Sequence, residues 1–230
     1  MAPDLKALSF SLCVLLSTYT TYLSGTPPNP TPYNSANPDS MSAVVSPSGL
    51  FIRRFYNVSL GIYHAYICLS YPSPPLFTCP HPSQLQPSLF TWTPYSTICL
   101  TVILLGCYIR LSAFSALGPS FTFRLSAPKK LITSGLYSYI QHPSYTGKAL
   151  VVLANAALIQ NRRGIIGCWL PAWIVEASLF WRAFACLVAY AIIRVTWKRV
   201  REEEMMMKET FGKEWETWHA KTKRFIPGLF

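Results

Sequence analysis

The sequence predicts an all-α, polytopic membrane protein with about five transmembrane helices (range five to six) and an amphipathic C-terminal helix on the cytosolic side. Three observations carry that expectation. Hydrophobic residues make up 51% of the 230 and charged residues 13%, where a soluble domain averages about 25% charged; the mean hydropathy is +0.27. The apolar residues fall into runs close to the roughly 20 that cross a bilayer. Charge returns in force only after Lys198, where acids and bases crowd together. Spans on this scale leave no room for a separate catalytic domain, so any chemistry has to sit on loops and helix ends. The chain is expected to divide into residues 1–94, spans with Pro-rich loops, and residues 95–230, the core.

Leu5 to Leu23 is the first expected span; a signal-peptide core is the competing reading, because small residues follow at Ser24 and Gly25. Ser24 to Gly49 carries Pro27, Pro28, Pro30, Pro32 and Pro38 among Ser and Asn, a composition no regular element accommodates. Arg53 and Arg54 precede the aromatic-rich run Phe55 to Tyr71, the second span. His64 lies inside it, and a lone imidazole there reads as a hydrogen-bonded packing residue ahead of a ligand. Pro72 to Pro94 is a second Pro-rich loop. Tyr95 to Leu117 is the third span, with Arg110 marking its exit, and Gly118 to Thr133 is polar and basic. Lys148 to Ile159 is the fourth, beginning as early as Ser144. Ile165 to Trp197 is apolar over 33 residues, more than a span of about 17–25 needs. Pro171 is therefore expected to part a short segment from a main helix over Ala172 to Trp197. Glu176 and Arg182 interrupt that helix and are expected to face the protein interior or a polar cavity.

The net charge of +11 does not point to nucleic acid. The bases lie between apolar runs and in the tail, the pattern of cytoplasmic loops and of contacts with anionic membrane lipids. Seven cysteines occur, most in apolar runs and none in a CxxC pair. They read as small buried hydrophobes, so neither a disulfide framework nor a metal site is expected. With five spans and a cytosolic tail, Arg53, Arg54, Arg110, Arg124, Lys129 and Lys130 fall on the cytosolic side; Arg162 and Arg163 are the exception.

Two polar islands remain. The first is Gly135 to Gly147, GLYSYIQHPSYTG, which enters the fourth span from the same face as the tail. Tyr137, His142, Ser144 and Tyr145 bring hydroxyl and imidazole groups, Pro143 redirects the chain and Gly147 permits close approach. At a helix start this describes a small-molecule pocket whose N–H groups favour a carboxylate; a cap with interface tyrosines is the plainer alternative. The second island is Lys198 to Phe230. Arg199 and Glu203 are four apart on one helix face, flanked by Glu202 and Glu204. Either the helix is solvated and laced with ion pairs, or it is half of a site in which carboxylates hold hydroxyls or a cation and the arginine holds a carboxylate. Further on, Met207, Phe211, Trp215 and Trp218 recur at helical spacing. They form one face of an amphipathic helix that lies at the membrane interface or caps a pocket, simple packing on the spans being the plainer alternative.

SGLYSYIQHPSYTG, then REEEMMMKETFGKEWETW and a closing FIPGLF, resembles the isoprenylcysteine carboxyl methyltransferase family. Its pattern is SGxYxxxRHPxYxG entering a span, REE-like acids, an FGxxYxxY step and a terminal IP. The resemblance covers roughly Arg110 to Phe230. It implies methyl transfer from S-adenosylmethionine to the C-terminal carboxylate of a prenylated cysteine, at the cytosolic face of the endoplasmic reticulum. It assigns Arg199 to the substrate side and Glu203 to the family's tail carboxylate. Tyr137, His142, Pro143, Ser144, Tyr145, Gly147 and Glu202 then fall to the cofactor. Gln141 departs from the usual arginine, Lys148 follows Gly147 where an apolar residue is common, and Trp215 and Trp218 replace tyrosines. The alternatives are a related phospholipid methyltransferase, a sterol reductase or a non-catalytic paralogue. Met205–Met207 and Phe211–Gly212 stand where reductase relatives carry a cysteine and a KYG step.

Overall fold

The computed structural model describes residues 4–29 and 45–228. Its architecture is helical, with seven α-helices among the described residues: α1 (Leu5–Ser24), α2 (Pro47–Ser70), α3 (Pro94–Leu117), α4 (Pro143–Leu158), α5 (Ala172–Glu176), α6 (Ser178–Phe211) and α7 (Lys213–Lys221). The only β pairing among those residues is one isolated parallel bridge, Ile140 with Lys223. The connector expected over 24–49 falls largely outside the described residues, Pro30, Pro32 and Pro38 included.

Among the described residues, three stretches are long and apolar enough to cross a membrane: Leu5–Ser24, Pro87–Ser120 (which contains α3) and Ser178–Phe211. That is fewer than the five to six spans expected. The predicted second span lies in α2, where Arg53, Arg54 and His64 dilute the apolar run. The predicted fourth lies in α4, whose 16 residues reach only about 24 Å, short of a hydrocarbon core of about 30 Å. The fifth is parted at Ala177, between α5 and α6, while Pro171 caps the start of α5. α6 then runs unbroken for 34 residues, or about 51 Å. Its polar end from Lys198 onward therefore extends past any hydrocarbon layer that its apolar part spans.

The chain forms two compact units. The first comprises Met1–Leu23, Arg53–Leu105 and Leu150–Leu187. There Ser11 Oγ donates to Ala65 O at 2.9 Å, tying α1 to α2 where Gly61 leaves no room for a side chain beside Thr18. His64 is fully buried, bonded through Nε2 to Leu89 O at 2.8 Å and stacked on Phe90, which is the packing role expected of it. Glu176 and Arg182 do not face the interior: Glu176 is exposed and pairs with Arg163 at 3.0 Å, and Arg182 is exposed and bonds Ser178. The helix end at Glu176 puts the acid within reach of a turn basic residue, which removes the need for a buried partner. The expectation of no disulfide is also corrected. Cys79 and Cys168, 89 residues apart, form one with Cα atoms 4.7 Å apart. No spacing rule reveals such a pair, because only the folding of two loops brings it together.

The second unit comprises Ser24–Ile52, Gly106–Ala149 and Val188–Phe230. Its α3 and α4 segments touch backbone to backbone at Gly147, where an added Cβ would stand 2.5 Å from Gly106 O. Glycine is required there for approach, as the sequence suggests. Gly212, at φ +51°, breaks the tail into α6 and α7, so the Met207–Trp218 stripe is not one continuous helix.

The disulfide yields a direct prediction. Thiol alkylation under denaturing, non-reducing conditions is expected to leave Cys79 and Cys168 unmodified and to label the other five. Cys79→Ser should cost about 2–4 kcal/mol of stability, read as a lower thermal midpoint in detergent. Full labelling of Cys168 before reduction would contradict the pairing.

Candidate active site

The first island begins with a 3₁₀ turn, Gly135–Ser138, after Ser134 in extended conformation. His142 follows, and Pro143 opens α4, where a missing N–H costs nothing because first-turn donors have no helical partner. The helix start is anchored by Arg110 of α3. This guanidinium donates from Nη1 to Ser144 O at 3.0 Å and to Ser144 Oγ at 2.7 Å, and from Nε to Ser24 O at 2.6 Å. Phe114 and Phe123 hold their rings 4.9 and 5.3 Å from it, a desolvated cation–π setting of about 2 kcal/mol. Arg110 is thus a buried anchor within α3.

The second island closes on the first. Gln141 N donates to Lys223 O at 2.8 Å and His142 N to Arg224 O at 2.9 Å. Thr146 Oγ1 donates to Phe225 O, and Trp218 Nε1 donates to Tyr137 O, both at 2.8 Å. The tail after α7 therefore runs along the motif, which brings the α6 acids over it.

Where they meet, charges alternate. Arg199 Nε bonds Glu203 Oε1 at 2.9 Å, the predicted i,i+4 pair. Tyr145 OH donates to the same oxygen at 2.7 Å. Glu203 Oε2 is 3.5 Å from His142 Nδ1, and Glu204 Oε1 is 3.6 Å from His142 Nε2. Arg224 grips Glu204 with Nε at 2.6 Å and Nη2 at 3.1 Å. The order is Arg199, Glu203, His142, Glu204, Arg224. Arg199 is 2% exposed and also donates to Phe123 O. A solvated helix face does not bury its arginine, so the plainer reading of the tail is set aside.

Tyr137, Pro143, Ser144 and Gly147 are buried around this cluster, and Tyr145 and His142 are in it. Glu202 is partly buried beside it in sequence; Glu204, treated from sequence only as flanking, faces His142. Sequence reasoning also missed Arg224 and Arg110. Arg224 acts across the Gly212 break, where no helical spacing applies. Arg110 carried one available signal, a charged residue inside the most apolar stretch of the chain.

The isoprenylcysteine carboxyl methyltransferase family model matches residues 98–180, which include the first island. The chain is 26% identical over 142 residues to a protein-S-isoprenylcysteine O-methyltransferase of Schizosaccharomyces pombe, covering 60% of this chain and 52% of the relative. It is 27% identical over 132 residues to protein-S-isoprenylcysteine O-methyltransferase B of Arabidopsis thaliana, covering 56% and 57%. Against the Xenopus laevis enzyme of that name it is 26% identical over 149 residues, covering 63% and 45%. The chain spans about half the length of these curated relatives. The family-model match includes the first island and ends before the second, and it is the methyltransferase name, not those of the alternatives, that the relatives carry.

His142 supplies a pH test. Burial alone would lower its pKa, but the flanking Glu203 and Glu204 carboxylates overrule burial and raise it. A raised folded-state value means that the charged imidazole stabilises the fold fully below its unfolded pKa of about 6.5. That contribution is lost as pH rises through the folded value. The thermal midpoint should thus fall more steeply as pH rises from about 6.5 in the wild type than in His142→Asn, which takes up no proton. Parallel curves would show that His142 carries no such charge.

Proposed function

We propose that this chain transfers a methyl group from S-adenosylmethionine to the C-terminal carboxylate of a prenylated cysteine. The observation that carries it is the buried Arg199–Glu203 pair held against Tyr145 and His142 of the first island. It unites a cation for a carboxylate with acceptors for a cationic, hydroxyl-bearing donor in one cluster.

The residues present suit the methyl donor. Glu203 and Glu204 offer carboxylate oxygens to ammonium and hydroxyl groups, and His142 Nε2 is buried with no partner at hydrogen-bond distance among the described residues, the Glu204 carboxylate standing 3.6 Å away. Tyr137, His142, Pro143, Ser144, Tyr145, Gly147 and Glu202 make up this half. When bound, S-adenosylmethionine supplies an electrophilic methyl whose transfer to a carboxylate oxygen leaves a neutral thioether and moves no proton. Arg199 binds the acceptor carboxylate by charge-assisted hydrogen bonds, and Glu203 orients the guanidinium. The acceptor, with a pKa of about 3.3–3.7, is ionised at neutral pH and needs no general base. Positioning and the replacement of water by aimed dipoles lower the barrier. The apolar helices offer the prenyl chain a lateral approach, each buried CH₂ contributing about 0.8 kcal/mol.

Within this proposal residues 95–230 form the methyltransferase core. α2 and α4 complete about five spans. The protein sits as a multi-pass component of the endoplasmic reticulum membrane, among its lipids, with the site toward the cytosol.

The test is a methylation assay on the detergent-solubilised chain, offering a prenylated cysteine analogue against phospholipid and sterol acceptors. Only the prenylcysteine should be methylated. Arg199→Ala should abolish turnover while S-adenosylmethionine binding survives, and His142→Ala should weaken that binding. Equal loss of both activities in Arg199→Ala would refute the substrate-side role, and lipid methylation would refute the substrate class.

A further inference from the structure

We propose that Gln141 is a positioning residue: paired with His219 it latches the tail, so that Arg224 holds Glu204 against His142. The part concerning the methyl donor rests on the function proposed above. Gln141 is 6% exposed, and both ends of its amide are engaged. Nε2 donates to His219 O at 3.2 Å, Thr222 O at 3.1 Å and Thr222 Oγ1 at 3.0 Å. Oε1 stands 2.9 Å from His219 Nδ1. Three oxygens around Nε2 fix which way the amide points, which makes His219 Nδ1–H the donor to Oε1.

The position of these partners explains the effect. α7 ends at Lys221 with Thr222 as its cap residue. The last carbonyls of any helix lack intrahelical partners, and Gln141 supplies donors for them from 78 residues away. His219 is itself held flat on Trp215, ring centroids 4.4 Å apart. Just beyond the cap, the backbone pairs with the motif at Lys223 and Arg224, and the Arg224 side chain forks Glu204. Gln141 therefore acts through residues 219–224 on Glu204, and through Glu204 on His142. The arginine usual at this place in the resembling family carries donors only. It would serve the carbonyls but accept nothing from His219. Gln141 and His219 thus form a matched pair, and the residue at which the sequence departs from the resembling family's pattern takes part in holding the tail.

The test uses the full chain in detergent and two substitutions at His219 that both remove the ring stack. His219→Asn keeps an N–H donor close to the Nδ1 position; His219→Leu does not. Backbone amide exchange over 139–146 and 218–225 reads the latch without any ligand, and equilibrium binding of S-adenosylmethionine reads positioning. His219→Leu is expected to speed exchange in both segments and to weaken binding about tenfold, the scale of a buried hydrogen bond left unmade. His219→Asn is expected to stay near the wild type in both. Equal impairment by Asn and Leu would overturn the donor role, and unchanged exchange in Leu would overturn the latch. Faster exchange with unchanged affinity would overturn positioning. A wild type that does not bind S-adenosylmethionine would count against the proposed function, and the exchange comparison would then decide the latch alone.

Discussion

The second unit depends on one electrostatic constraint: two carboxylates, Glu203 and Glu204, are carried into a largely buried site and must be neutralised there. Charges removed from water cost several kcal/mol each unless paired and hydrogen-bonded. The chain meets this with Arg199 on one side, Arg224 on the other and His142 between. Tyr145 adds a hydroxyl donor to Glu203. Apart from the Arg199–Glu203 pair within α6, the contacts of the cluster join different elements, so it also defines where α4, α6 and the tail stand within the unit.

That requirement accounts for the local backbone. Arg224 and Glu204 are 20 residues apart and meet only because Gly212 turns the chain back after α6. Gly147 lets α3 and α4 approach closely enough for Arg110 to reach Ser144. The aromatic residues 114, 121 and 123 pack together with ring centroids 4.1–5.9 Å apart. They serve both arginines: two rings flank Arg110, and the Phe123 carbonyl accepts from Arg199. Apolar packing and polar satisfaction are thus solved by the same residues.

Under the proposed function, a site built this way suits transfer to an acceptor that is already ionised. Nothing in the cluster is a strong base, and the groups it presents hold charge in place. Under the same proposal such a device works by geometry, so features that stiffen it, including the seal of the tail on the first island, would bear on rate as well as on stability.

The sequence by itself determined the helical class, the two islands and most residues of the cluster. These are written in local pattern: apolar run length, Gly and Pro at helix ends, and i,i+4 spacing for Arg199 and Glu203. It also located His64 as a packing residue. Of the five to six spans it expected, three stand among the described residues as stretches long and apolar enough to cross a bilayer; hydropathy alone does not give the length of a helix such as α4, which has 16 residues. Only the tertiary structure decided that Glu204 faces His142, that Arg224 and Gln141 support it, that Arg110 is a buried anchor, and that Cys79 meets Cys168. Each of these joins residues 20 to 89 positions apart, or depends on a chain reversal. Periodicity describes one element at a time and carries no information on which partner a side chain meets across the fold.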